Sequence, residues 1–420
     1  MTARALATAA KQVAPLVAQL STDVKNKALT LAAEMLLTRR DDILTANGKD
    51  MAAADNPVAP LAAPLRDRLL LNEKRIVAMA ESLSTVAALP DPVGELLAAW
   101  DRPNGLHIKK IACPLGVLLA IYESRPNVSI DIAALALKSG NVCLLRPGSE
   151  SFHSSALLVD VFQQALTAAG VPPMQTQMVK DKSRDLVRDL LTMRDLIDVV
   201  VPRGGKGLID IVTDQATMPV FAHREGNCHV YVSASADKDK AIQIITNAKL
   251  RRVEVCGAME SLLMDESVAD KLLPLVAAPL LAAGVELRAC AGAAKILAAH
   301  DMPHVIASED DFYAEYLDKI LSIKLVKDVA AATAHINHYG SHHTDAVVTE
   351  NKIIGDYFLR HVESAIVLLN ASTQFADGGE FGFGAEVGIA TGKFHARGPV
   401  GLKELCSYYY QVLGNGQCRP

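Results

Sequence analysis

No Cys-x-x-Cys pair occurs in the sequence, and its seven cysteines, at 113, 143, 228, 256, 290, 406 and 418, are odd in number and widely scattered. That pattern argues against a disulfide framework and a structural zinc site, and fits a reducing, cytosolic setting. Long apolar runs are also missing. The longest, Leu272–Val285, is broken by Pro274 and Pro279, whereas a membrane span needs roughly 20 residues. Nor is there an excess of positive charge. The 42 Lys and Arg against 47 Asp and Glu give a net charge of −5, without the basic surface that a general nucleic-acid or anionic-membrane binder requires. The first twenty residues carry Arg4 and Lys11 inside an Ala-rich stretch and do not read as a secretory signal. Both common nucleotide fingerprints, G-x-G-x-x-G and G-x-x-x-x-G-K-[ST], are absent.

What is present is a 420-residue chain, 50% hydrophobic and 21% charged, which at roughly 150 residues per domain implies two or three packed domains. Residues 1–50 and 66–90 repeat Ala and Leu at helical spacing with charges on the other face. From residue 108 to about 250, short apolar runs (108–111, 116–121, 142–145, 176–179, 199–201, 220–222, 230–232) alternate with helical stretches. Such alternation predicts a parallel, doubly wound sheet whose ligand crevice lies at the carboxyl ends of its strands. A second alternation follows from 256 to about 370. The Gly-rich stretch 378–401 then leads to a strand over 407–413.

Four segments could carry chemistry. Cys256 closes the run Leu250–Val255 and precedes Gly257, Ala258 and an expected helix. A thiol at a helix N-terminus is acidified by the dipole. Arg251 and Arg252 would add to that effect and Glu254 would oppose it; the competing reading is a buried, inert cysteine. Glu123-Ser-Arg-Pro-Asn-Val128 joins a strand to a helix and can present the Asn127 amide, or simply cap a turn. Leu144-Leu-Arg-Pro-Gly-Ser-Glu150 and Val201-Pro-Arg-Gly-Gly-Lys-Gly207 are both basic strand-to-helix turns, suited to a ligand with several phosphates. His335, His338, His342 and His343 crowd one segment, and His223, Cys228 and His229 another. The first spans a helix end and a loop without the acidic framing of a metal site, and the expectation is no bound metal.

In order along the chain, IYESRPNV (121–128), ALALKSGN (134–141), VPRGGKGL (201–208), GNCHVYV (226–232), EYLD (315–318), HTDAVVT (343–349), NAS (370–372) and GGEFGFGAEVGIATGKFHARGPVGL (378–402) resemble the gamma-glutamyl phosphate reductases. These form a branch of the aldehyde dehydrogenase superfamily. The resemblance implies an α/β fold with a Rossmann-type cofactor domain over 1–103 and 120–252 and an α/β catalytic domain over 253–390. A small β oligomerisation flap would be formed by 104–119 and 391–420. It also implies NADPH-dependent reduction of L-glutamyl 5-phosphate in proline synthesis, in a cytoplasmic homodimer or higher homo-oligomer that contacts a glutamate 5-kinase. Neither nucleic acid nor membrane is an implied partner. Cys256 matches the family's nucleophile and Asn127 its oxyanion donor. Arg146, Pro147, Ser149, Arg203, Gly204, Gly205 and Glu315 match cofactor contacts. Arg125, His223 and Asn370 fall at substrate-facing places. His223 stands where oxidising relatives carry the glutamate base that hydrolyses a thioester. The family's usual Arg-Pro-Gly before the cysteine reads Arg252-Val-Glu-Val-Cys-Gly257 here. The alternatives are a weakly catalytic nucleotide-binding homologue and an oxidising aldehyde dehydrogenase.

Overall fold

The structure, a computed structural model, describes residues 2–56, 60–181, 183–222 and 225–419, with only the backbone described at 64 and 184. The chain divides into two compact units. One comprises Met1–Ala222, Gly382–Gly388 and Val400–Pro420, and the other His223–Phe381 and Ile389–Pro399.

The first unit begins with helices α1 (Ala3–Val17), α2 (Thr22–Thr38), α3 (Arg40–Ala54), α4 (Ala63–Leu69) and α5 (Glu73–Ala88). Thr2, Ser21 and Asn72 start α1, α2 and α5 by accepting backbone N–H bonds on their side chains, which satisfies donors that a helix start leaves open. Strands β1 (Leu96–Asp101) and β2 (His107–Pro114) pair antiparallel. There follow β3 (Val117–Tyr122), α6 (Val128–Lys138), β4 (Val142–Pro147), α7 (Phe152–Ala168), β5 (Thr176–Met178), α8 (Arg184–Leu191), β6 (Val199–Arg203) and α9 (Lys206–Gln215). Strands β3 to β6 form a parallel sheet of order β5-β4-β3-β6. All six side chains of β3 are buried, as expected of a strand covered on both faces. The chain builds outward from β3 to β5, then crosses back so that β6 flanks β3 on the other side. Such a reversal is where a doubly wound sheet ordinarily takes its ligand, and here Tyr122 is in register with Arg203 at the carboxyl ends of β3 and β6. The expected strand at 220–222 contributes only an isolated bridge from Val220 to Val200.

The second unit is a seven-stranded sheet. Its strands are β7 (Cys228–Val232), β8 (Met259–Asp265), β9 (Glu286–Ala289), β10 (Val305–Ile306), β11 (Ile320–Val326), β12 (Thr344–Val348) and β13 (Ile366–Leu369). Their order is β10-β9-β11-β8-β7-β12-β13, with every pair parallel. Helices α10 (Lys238–Leu250), α11 (Glu266–Ala282), α12 (Ala291–Ala299), α13 (Val329–Tyr339) and α14 (Lys352–His361) connect them. Leu262, Met264, Leu273, Val276, Leu287 and Ile323 are among its buried core. The short pair β14 (Ile389–Ala390) and β15 (Gly398–Pro399) lies in the Gly-rich stretch. The last strand, β16 (Cys406–Leu413), adds antiparallel to β2 and completes a β1-β2-β16 sheet within the first unit.

Several expected boundaries shift: residues 382–388 belong to the first unit and 391–399 to the second. Residues 225–252 belong to the second unit, because β7 pairs with β8 and β12 rather than with the first sheet. The small antiparallel sheet starts at Leu96, not 104, and residues 117–119 lie in β3. Among the described residues no helix is long and apolar enough to cross a membrane.

Candidate active site

In the first unit the strand-end turns are tied together by carboxylates. The backbone N–H of Gly205, which precedes α9, donates to Glu123 Oε2 at 3.1 Å. The turn after β3 is held by Glu150, whose Oε1 accepts from Ser124 N at 2.6 Å and from Ser124 Oγ at 3.1 Å. Ser124 sits at φ +47°, a left-handed conformation that costs a non-glycine residue energy unless its surroundings fix it. Gly204 lies so close to Glu123 that a Cβ there would meet Oε2 at 2.4 Å. Arg146 and Pro147 end β4 and Arg203 ends β6, on either side of β3, with Gly204 and Gly205 following Arg203, while Ser149 is exposed in the turn after β4. Arg146 donates from Nη1 to the Pro147 carbonyl at 3.1 Å. Arg125 is half-buried just before α6. Neither Glu123 nor Glu150 was singled out from the sequence: Glu123 lies in a turn read for its Asn127 amide, and Glu150 in one read for its arginine.

Asn127 precedes the first residue of α6 but makes no side-chain cap bond. Its Nδ2 instead donates to Asp131 Oδ2 at 3.0 Å, one helical turn on. Burial pushes the Asp131 carboxyl up to about 6, while the Asn127 bond, Arg203 and Ser82 pull it down.

In the second unit, Cys256 lies in the turn between α10 and β8, not before a helix. The helix expected to begin there is not present: the nearest helix end along the chain is the carboxyl end of α10. The turn is instead clamped by packing. Cys228 donates its thiol to the Cys256 carbonyl at 3.1 Å. Burial, and then the Asp345 carboxylate, hold the Cys228 thiol well above its ordinary range, so it stays a donor. A Cβ on Gly226 would meet the Cys256 carbonyl oxygen at 2.2 Å, and one on Gly257 would meet the Thr373 carbonyl at 2.9 Å. Gln374 Nε2 donates to the carbonyls of Ala248 and Arg252, both at 3.0 Å. Cys256 itself is half-buried against Ile366, Ala376 and Ile389.

Glu315 is half-buried in the loop before β11. That loop is anchored by Glu260 Oε1, which accepts from Leu317 N at 3.1 Å, while Glu260 Oε2 pairs with Lys249 Nζ at 2.5 Å. Asn370 is spent differently from expected. At φ +53° it accepts from Thr349 N at 2.9 Å and donates to Thr349 O at 2.8 Å, joining the ends of β12 and β13. His223 lies outside the described residues. His229 is buried against Asp345 at 2.9 Å, and burial lowers His335 to about 3. Among the described residues no three His, Cys, Asp or Glu side chains gather as a metal would need.

Comparison with known proteins agrees with this architecture. The aldehyde dehydrogenase family profile matches residues 1–286. A gamma-glutamyl phosphate reductase of Parvibaculum lavamentivorans is 52% identical over 98% of this chain and 96% of its own length. That of Paramagnetospirillum magneticum is 49% identical over 98% and 96%. The crystal structure of the Thermotoga maritima gamma-glutamyl phosphate reductase superposes with a TM-score of 0.96 at 42% identity, covering all of both chains. An acetylating aldehyde dehydrogenase from Geobacillus thermoglucosidasius, at 16% identity and a TM-score of 0.69, shares the fold. The chain thus belongs to the gamma-glutamyl phosphate reductases of the aldehyde dehydrogenase family.

Proposed function

We propose that this chain reduces L-glutamyl 5-phosphate to L-glutamate 5-semialdehyde and phosphate with NADPH, the second step of proline biosynthesis, through a thioester on Cys256. The observation that carries the reading is the near-full-length likeness to relatives named for that reaction. On this reading the Cys256 thiolate attacks the acyl carbon and expels phosphate, leaving the acyl group on sulfur. The Asn127 amide donates to the oxyanion of each tetrahedral stage, where a fixed donor favours the tetrahedral over the planar form. Reduced nicotinamide, when bound, supplies the hydride. The thiohemiacetal left on Cys256 then collapses to the aldehyde and frees the thiol. Water must be kept from the thioester.

The glycine-led α9 and the paired arginines at strand ends suit a dinucleotide. Arg146, Pro147, Ser149, Arg203, Gly204, Gly205 and Glu315 would hold it, with Arg146 meeting the 2′-phosphate of NADPH. Arg125 is the substrate-facing cation. The first unit is then the cofactor unit and the second the catalytic one, in a cytoplasmic homo-oligomer assembled through the β1-β2-β16 sheet. A contact with the glutamate 5-kinase that makes the acyl phosphate belongs to the same reading.

The test is oxidation of glutamate 5-semialdehyde by NADP⁺, with and without phosphate, for the wild type and Cys256→Ala. Phosphate-dependent turnover is expected, together with an acyl adduct on Cys256 in the mass spectrum when phosphate is withheld. Cys256→Ala should lose at least about 10³-fold in rate while still binding NADPH. Turnover that ignores phosphate would mark an oxidising dehydrogenase; binding without turnover would mark a non-catalytic homologue.

A further inference from the structure

We propose that Asp131 is a positioning residue that fixes which end of the Asn127 side-chain amide faces the reacting carbonyl. The inference rests on the reading of Asn127 as oxyanion donor and deepens it. An amide has a donor end and an acceptor end that are nearly equal in shape, and only the donor end can hold an oxyanion. Asn127 occupies the N-cap place of α6, where an Asn ordinarily accepts a backbone N–H on its oxygen. Here it makes no such bond, and its orientation is set instead by Asp131, at 3.0 Å from Nδ2.

A carboxylate only accepts, so it selects the Nδ2 end of the amide. Nδ2 carries two hydrogens, and pinning one fixes the direction of the other. The polar and charged groups facing Asp131 favour its ionised form. Arg203, at the end of β6, is near enough to draw the carboxyl down, and Ser82 Oγ on α5 donates at 3.5 Å. Burial opposes them and leaves the carboxyl at about 6, so the acceptor-only form prevails at neutral pH. A neutral acid would carry its own donor and could draw the Asn127 oxygen into the place that Nδ2 holds. No other step of the proposed reaction employs Asp131.

The experiment compares Asn127→Ala, Asp131→Asn, Asp131→Leu and the Asn127→Ala/Asp131→Asn double variant in the phosphate-dependent oxidation of the semialdehyde. NADP⁺ is saturating, folding is checked by circular dichroism, and Cys256 is checked by its alkylation rate with iodoacetamide. Asn127→Ala should lower kcat by about 10²–10³-fold, the usual worth of one oxyanion donor. Asp131→Leu should approach that loss. Asp131→Asn, which keeps volume and lets the two amides exchange donor and acceptor roles, should lose about tenfold, near the net worth of one hydrogen bond. The double variant should be no slower than Asn127→Ala alone, because both act through one amide. In the Asp131 variants the KM for NADP⁺ and the alkylation rate should stay within about threefold of wild type. Full kcat in a folded Asp131→Asn or Asp131→Leu, beside an impaired Asn127→Ala, overturns the proposal. So does a loss confined to the KM for NADP⁺, which would mean that Asp131 acts through Arg203. Full kcat in Asn127→Ala is a separate result and overturns the role of Asn127 itself.

Discussion

A methyl group placed on Gly226 would stand 2.2 Å from the Cys256 carbonyl oxygen, so the backbone around the proposed nucleophile leaves no room for a side chain at that point. Together with the Cys228 thiol on the same carbonyl, this sets where the Cys256 turn runs before any substrate arrives. Preorganisation of this kind is what covalent catalysis needs from its scaffold. Arg146, by contrast, is proposed to act through its charge. It is half-buried at the end of β4, and its Nη1 rests on the Pro147 carbonyl. Arg146→Ala should weaken NADPH by about tenfold or more while changing NADH by less than about threefold, as the loss of one charged hydrogen bond implies. Fluorescence titration of the two cofactors measures the difference; equal losses for both would remove the 2′-phosphate role.

At the scale of the element, β8 is the strand on which the second unit turns. It lies between β11 and β7 and carries a fully buried Glu260 against a fully buried Lys249 on α10. Burial dominates both partners, raising Glu260 to about 7 and lowering Lys249. Removing one partner strands the other charge in the interior. Lys249→Met should cost about 3–5 kcal/mol of stability by chemical denaturation. The sign with pH follows from linkage. A carboxyl whose folded value lies above its unfolded one binds its proton more tightly in the native state. Its contribution is present below about 4.5 and is lost as pH rises through about 7. Without Lys249 that folded value climbs further, so the variant's deficit should grow from pH 6 to pH 8. A deficit that shrank over that interval would show that Glu260 is not buried unpaired. The same pair supports the Leu317 backbone, so the variant should also loosen the loop that carries Glu315.

At the scale of the molecule, the β1-β2-β16 sheet leaves a row of aromatic and aliphatic side chains exposed. Trp100 and Tyr410 meet edge to face with ring centres 6.1 Å apart, and Tyr408 and Tyr410 do so at 5.7 Å. Tyr409, Val412 and Leu413 are each about half exposed. Among the described residues the outer edge of β16 pairs with no strand, and such an edge invites another chain unless it is covered. Replacing Tyr408 and Tyr410 with Asp should shift the protein from an oligomer to single chains at micromolar concentration, read by light scattering coupled to gel filtration. An unchanged mass would place the subunit contact elsewhere.

Much of this was legible in the residues themselves. Local periodicity and punctuation specify β3, α6, β4 and β6, because a strand buried on both faces must be an apolar run and a basic Gly-rich turn has few other uses. The motif set from 121 to 402 carries the family. What local pattern could not decide was partnership. Met259–Asp265 reads as helix-forming residues, yet it is a fully buried strand because two parallel neighbours satisfy its backbone. Cys256 therefore lost its expected helix and gained a turn clamped by Gly226, Cys228 and Gln374. Asn370 turned out to join two strands, and Glu123, Glu150 and Asp131 emerged as the carboxylates that hold neighbouring turns and amides. The sequence by itself determined the order of elements and the chemistry each turn could offer, since these depend on residues within a few positions of one another. Only the tertiary structure decided which groups those turns are bonded to, since such bonds join residues far apart along the chain and form when packing removes them from water.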